Sequence, residues 1–162
     1  MKLVRKLAGL GPMMKEMIAD NDYHTQDMGI IEISTGKGLA ANAGHEHPAI
    51  RRTGGEWELV LYKHSPALAA IEGISFSEHE FLLSPGDSLF VYTDGVPEAT
   101  NSNGELFGTE RMVKALNEKE DAAPDELLPH VKTRVDEFVG DAPQFDDLTM
   151  LGIKWLGAAG VK

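Results

Sequence analysis

Two strongly apolar runs in this chain meet carboxylates at their ends. Leu89-Phe90-Val91-Tyr92-Thr93 runs into Asp94-Gly95, and Phe145-Asp146-Asp147-Leu148-Thr149 opens Met150-Leu151-Gly152-Ile153-Lys154-Trp155. Runs of this length and aromatic, β-branched content form strands, so the fold must tolerate acids at strand ends. A partly buried carboxylate is costly unless it is hydrogen-bonded, paired with a cation or bound to a metal. Neither segment has an Arg or Lys beside the acid, and a hard cation shared by the two would satisfy both. On the residues alone a second reading stands next to this one: Asp94 forms a turn before Gly95, and Asp146 caps the strand behind it.

The 162 residues suffice for one domain, and 42% hydrophobic content is enough to build a core. A formal charge of -11 argues against nucleic acid or an anionic membrane as partner, since either would be repelled. Without cysteine there is no disulfide, thiolate nucleophile or cysteine zinc site, and the chain suits a reducing cytosol. No apolar stretch is long enough to span a bilayer, and Gly9, Gly11, Pro12 and Lys15 interrupt the segment behind the basic start. A cytoplasmic protein is the expectation.

Along the chain, Met13–Asp20 has the composition of a short helix within an N-terminal helical segment of about residues 1–20. Met28–Ile33 and Gly38–Ala43 flank Ser34-Thr35-Gly36-Lys37 as two strands of a tight hairpin. Ile50–Arg52 and Trp57–Tyr62 repeat that pattern around Thr53-Gly54-Gly55. Phe76–Leu83 alternates apolar and polar residues before Ser84-Pro85-Gly86-Asp87 turns into the Leu89 strand. A helix begins at Thr109 and ends near Leu116. A second starts at Pro124 and carries Leu127, Leu128, Val131, Val135 and Phe138 at helical spacing as far as Gly140. One last strand returns, which predicts an α+β layered domain over 1–162, with its sheet and helix core over 28–156.

Gly95 lets the backbone turn sharply away, so that the Asp94 carboxylate stands clear at the strand end. Oxygen-only donors suit Mg²⁺ or Mn²⁺ better than Zn²⁺. His45 and His47 flank Glu46 and would share one face of a strand. Asn42-Ala43-Gly44 and Pro48 around them instead favour a turn that holds sheet geometry. His24, His64, His79 and His130 stand alone, Gly36-Lys37-Gly38 is too short to cradle a phosphate, and Met13, Met14 and Met17 suit packing.

The segment Gly86-Asp87-Ser88-Leu89-Phe90-Val91-Tyr92-Thr93-Asp94-Gly95-Val96-Pro97-Glu98-Ala99 resembles the signature of metal-dependent protein phosphatases of the protein phosphatase 2C (PP2C) type. Asn42-Ala43-Gly44-His45-Glu46-His47-Pro48, Asn103-Gly104-Glu105-Leu106-Phe107-Gly108 and Phe145-Asp146-Asp147-Leu148-Thr149 are similar to segments of its stage II sporulation protein E subgroup, in the same order. The resemblance implies an α-β-β-α sandwich of antiparallel sheets with flanking helices. It also implies two Mn²⁺ or Mg²⁺ ions and hydrolysis of phosphoserine or phosphothreonine by a metal-activated water. The substrate implied is a phosphorylated regulatory protein of the anti-sigma-factor antagonist type. Asp94 and Asp146 match family metal ligands, while Asp147 matches a neighbour that is not usually one.

One departure changes the expectation. The family also places an Asp-Gly segment at the end of an earlier strand, and its carboxylate bridges the two metals. Asp20, Asp22 and Asp27 occur without a preceding apolar strand, and Gly36-Lys37-Gly38 sits in a hairpin turn. The chain therefore reads as a phosphatase domain lacking its first strands, N-terminally truncated relative to the family and weak or inactive as it stands. The alternative is a non-catalytic relative that binds a regulatory partner, or forms a homodimer through the edge and apolar surface that the absent strands would cover.

Overall fold

The computed structural model describes residues 26–63, 65–67, 75–143 and 146–158. The helical segment expected over about residues 1–20, together with Asp20, Asp22, His24, His64 and Phe145, lies outside the described residues. Along the chain run β1 (Gln26–Ile31), β2 (Lys37–Ala43), β3 (Ala49–Arg51), β4 (Trp57–Leu59), β5 (His79–Leu82), β6 (Ser88–Tyr92), α1 (Gly108–Asn117), α2 (Pro124–Val139) and β7 (Met150–Lys154). They fall into two compact units. One holds Met1–His45, Tyr62–Leu83 and Gly157–Lys162; the other holds Glu46–Leu61 and Ser84–Leu156.

In the first unit the expected hairpin forms. β1 pairs antiparallel with β2, which pairs antiparallel with β5. The Glu32 N–H donates to the Lys37 carbonyl at 2.8 Å to close the turn, and Gly36 supplies the positive φ of 73° that it requires. Gly38 lies opposite Phe81, whose ring occupies the space a Gly38 side chain would need, so the aromatic covers the glycine across the strands. β5 begins at His79, not at Phe76 as the alternation suggests. Ser77 N–H is bonded to the Ser65 hydroxyl at 3.1 Å, which diverts a donor that a longer strand would place in its ladder.

The second unit is an antiparallel sheet of order β4-β3-β6-β7 with both helices packed on one face. Trp57, Phe90, Tyr92, Met112, Leu116, Leu127, Val131 and Val135 form its core. In α2 the spacing of Leu127, Val131 and Val135 buries one stripe; Pro124 opens the helix, and Gly140, with φ of 61°, follows its last turn. Pro129 also lies inside α2, on its exposed side. α1 starts at Gly108 behind Phe107, so Thr109 sits within the helix and provides no cap. Gly152 in β7 is where α2 comes closest, since a side chain there would stand 3.1 Å from Pro124 Cβ.

Two polar ties brace this unit. Arg51 enters the helix-facing layer with its side chain 3% exposed and pairs with Asp121, in the connection between α1 and α2, at 2.5 Å. Asp87, in the turn before β6, is buried and gathers donors from Arg52, Thr53 and Ser84. The α+β architecture of antiparallel sheets and flanking helices is the one expected. Among the described residues no helix is long and apolar enough to cross a membrane.

Candidate metal locus at the ends of β6 and β7

The two acid-bearing segments belong to the second unit, and the sheet brings them together. Beyond the last ladder pair, Tyr92 with Met150, the backbones stay linked: Thr93 N–H donates to the Thr149 carbonyl at 3.0 Å. The Thr93 hydroxyl accepts from Thr149 N–H at 3.1 Å and donates to the Asp147 carbonyl at 3.1 Å. Gly95 lies buried against that same carbonyl, so close that a Cβ would stand 2.4 Å from its oxygen. Glycine is therefore needed here for the approach of two backbones, in addition to the turn. Asp94 is thereby set beside the segment that carries Asp146 and Asp147.

Each carboxylate is oriented by its own neighbour. Asp94 Oδ1 accepts from Gly95 N–H at 3.0 Å, and Asp146 Oδ1 accepts from Asp147 N–H at 2.7 Å. Both side chains are exposed, as is that of Asp147. This corrects the expectation that burial makes these acids costly: exposed carboxylates are hydrated and need no cation to be tolerated. It also corrects the placement of Asp146 at a strand terminus. β7 starts at Met150, and Asp146 sits upstream of it, where the chain crosses Gly95.

Hard oxygen donors at one locus are the right kind for Mg²⁺ or Mn²⁺. Among the described residues their number is short. Among the described residues no group of three or more His, Cys, Asp or Glu side chains is arranged to hold a metal ion. Asp94 and Asp146 thus match such an ion in chemistry but do not complete the shell that a tightly held ion requires.

The other candidates have structural partners. Asn42 clamps the turn that follows β2: its amide donates to the His45 carbonyl at 3.0 Å and its side-chain oxygen accepts from His45 N–H at 2.8 Å. Gly44, with φ of 75°, packs against Ala67. This is the sheet-holding turn read for the Asn42–Pro48 segment. His79 packs on the Tyr62 ring at 4.4 Å, and His130 meets Glu118 at 3.1 Å. In the core of the second unit, burial first and the Glu46 charge second push the Tyr92 phenol above its ordinary pKa, so it stays neutral.

The family profile of stage II sporulation protein E (SpoIIE) matches residues 5–156. The chain belongs to the SpoIIE family. It is 31% identical over 131 residues to Protein IcfG of Synechocystis sp. (strain ATCC 27184 / PCC 6803 / Kazusa), an overlap of 81% of this chain and 20% of IcfG. The SpoIIE-family chain thus spans about a fifth of the length of that relative. Among solved structures it is similar to the SiaA-PP2C domain of Pseudomonas aeruginosa, with TM-score 0.71 and 21% identity over 91% of this chain and 58% of that one. It is also similar to the phosphatase domain of SpoIIE from Bacillus subtilis (Mn presoaked), with TM-score 0.67 and 16% identity over 95% of this chain and 67% of that one. At such identities the structural likeness speaks for the fold. With the family match, it gives this SpoIIE-family chain the fold of PP2C-type domains.

Proposed function

We propose that this SpoIIE-family chain is a metal-dependent serine/threonine protein phosphatase domain for a phosphorylated regulatory protein of the anti-sigma-factor antagonist type, with little activity on its own. The family match runs through both compact units, which supports reading residues 1–162 as one functional domain. The observation that carries the proposal is the Gly95 contact with Asp147, which sets the Asp94-Gly95 and Asp146-Asp147 segments against each other. We assign Asp94 and Asp146 as ligands of Mn²⁺ or Mg²⁺; the name of the B. subtilis relative, Mn presoaked, supports the choice of metal.

The same observation limits the activity. Bringing a metal-bound water into the working pH range requires the ion to be held by several fixed ligands, and two exposed carboxylates hold one weakly. Mn²⁺-dependent hydrolysis of a phosphoserine peptide by the isolated chain is expected to stay near background. Robust turnover abolished by Asp94→Asn would overturn the low-activity reading while upholding the assignment of Asp94.

A second reading, a non-catalytic partner-binding or self-associating domain, gains support from the shortfall of donors and from Ile30 and Leu82, about half exposed on the first unit's sheet. Sedimentation velocity with a Mn²⁺ titration separates the two. A monomer that binds Mn²⁺, even weakly, favours the phosphatase, and a dimer indifferent to metal favours the second reading.

A further inference from the structure

Beside the candidate metal locus, within the second unit, lies a recess of about 240 Å³. Three segments close it: Gly95–Thr100 after β6, the last turns of α2, and the chain approaching β7. Its floor is aliphatic, made by Ala99, Val135, Val139 and Leu148, and Glu98, Asp136 and Asp146 also line it. Among the described residues no lysine, arginine or histidine contributes to its wall. Asp136 is already engaged by Lys132, whose ammonium donates to both its oxygens at 2.9 and 2.7 Å. Glu98 is exposed and enters no ion pair among the described residues, which makes it the carboxylate best placed to meet an incoming cation.

An apolar floor with three carboxylates, of which Lys132 neutralises one, complements one class of side chain: an aliphatic stem that ends in a cation. We infer that this recess takes a lysine or arginine side chain of the phosphoprotein, close in sequence to its phosphorylated residue. The phosphatase reading supplies the identity of the ligand as a phosphoprotein; the shape and charge of the recess supply the preference. An acidic flanking residue would be repelled by Glu98 and Asp146, and a neutral aliphatic one would gain the floor without the ion pair.

The test is binding measured by fluorescence anisotropy without added metal, so that it does not depend on turnover. Phosphoserine peptides carrying arginine, norleucine or glutamate at the positions flanking the phosphoserine are titrated with the whole chain, next to their unphosphorylated forms. The arginine peptide is expected to bind roughly fivefold tighter than the norleucine peptide, the upper end for one partly exposed ion pair. Glu98→Gln should remove most of that preference, and Glu98→Lys should turn it toward glutamate. Glu120→Lys, the same charge change on an exposed residue outside the recess, should leave it intact.

Equal binding of the three peptides, or an arginine preference that survives Glu98→Lys, would overturn the inference. Loss of the preference in Glu120→Lys would do the same, because attraction to the net charge of the chain would then explain it. A preference that is the same with and without the phosphate, also when Mn²⁺ is added, would count against the phosphatase reading and leave the recess assigned.

Discussion

Replacing Asp87 with alanine is expected to destabilise the second unit by about 3 kcal/mol, because it removes a buried acceptor that gathers four hydrogen bonds from Arg52, Thr53 and Ser84. The Asp87 side chain is 2% exposed. It accepts from Arg52 Nη1 at 2.7 Å, Thr53 N–H at 2.8 Å, Ser84 N–H at 2.9 Å and the Thr53 hydroxyl at 3.2 Å. These bonds tie the turn after β3 to the turn before β6. Alanine strands the two backbone donors, and asparagine turns an amide N–H₂ toward groups that are themselves donors, so Asp87→Asn should also lose most of the effect. The arginine contributes less, since Arg52 is about half exposed and water can solvate it once the partner is gone. Both tryptophans, Trp57 and Trp155, lie in the second unit, so their emission during urea or thermal unfolding reports it. For a chain of this size a loss of about 3 kcal/mol lowers Tm by roughly 6–12 °C. A Tm within a degree or two of the parent would show that the network does not hold the turns.

The acid limb of the stability curve carries the same signature. Burial acts to raise the Asp87 pKa, yet the bonds from Arg52, Ser84 and Thr53 outweigh it and hold the carboxyl below its ordinary value of 3.8. A folded pKa below the unfolded one adds stability that is complete above about pH 4 and is lost as pH falls through the folded value. The parent should therefore lose stability below about pH 4 more steeply than Asp87→Ala, and the difference between them should narrow as the acid is titrated.

Local pattern made much of this molecule legible in advance, and what it missed depends on residues distant along the chain. The hairpin of β1 and β2, the apolar run into Asp94-Gly95, the stripe of α2 and the returning β7 all follow from periodicity and turn residues within a few positions. Asp87 read only as part of a Pro-Gly-Asp turn. Its partners at 52 and 53 cannot be found from neighbours, because the sheet places β3 beside β6. Nor does a pattern of alternating residues reveal that Ser65 takes the Ser77 donor and shortens β5. At the candidate locus the residue types were readable, but the exposure of the acids was not. Burial depends on how far the chain runs past the strand before it turns, and Asp146 lies outside the ladder that the apolar run announces. The recess was invisible for a similar reason: its walls come from three segments, and Glu98 has no feature of its own until α2 stands opposite it.

Gly95→Ala is expected to be the most damaging single methyl group in the second unit. Substituting alanine for glycine at a site with open space stabilises by about 0.4–1 kcal/mol, because it narrows the unfolded ensemble. Gly29, in β1, is such a site, with nothing within 4 Å of the position its Cβ would take. At Gly95 the new carbon would stand 2.4 Å from the Asp147 carbonyl oxygen and 3.0 Å from its carbon, and both atoms belong to backbone that cannot rotate aside. The Asp146–Leu148 segment must retreat. In doing so it breaks the clasp in which the Thr93 hydroxyl accepts from Thr149 N–H and donates to the Asp147 carbonyl. Overpacking with loss of those bonds should cost about 2–4 kcal/mol, against the small gain expected of Gly29→Ala. Thr93→Val keeps the shape and removes the hydroxyl, so it should cost less, about 0.5–1.5 kcal/mol, because water can reach the two exposed groups it leaves. Both variants should also weaken Mn²⁺ binding, measured by water-proton relaxation, since they separate the segment of Asp94 from that of Asp146 without touching either carboxylate. A Gly95→Ala protein as stable as the parent would mean that the two backbones are not in contact there, and with that contact goes the reason for assigning Asp94 and Asp146 to one ion.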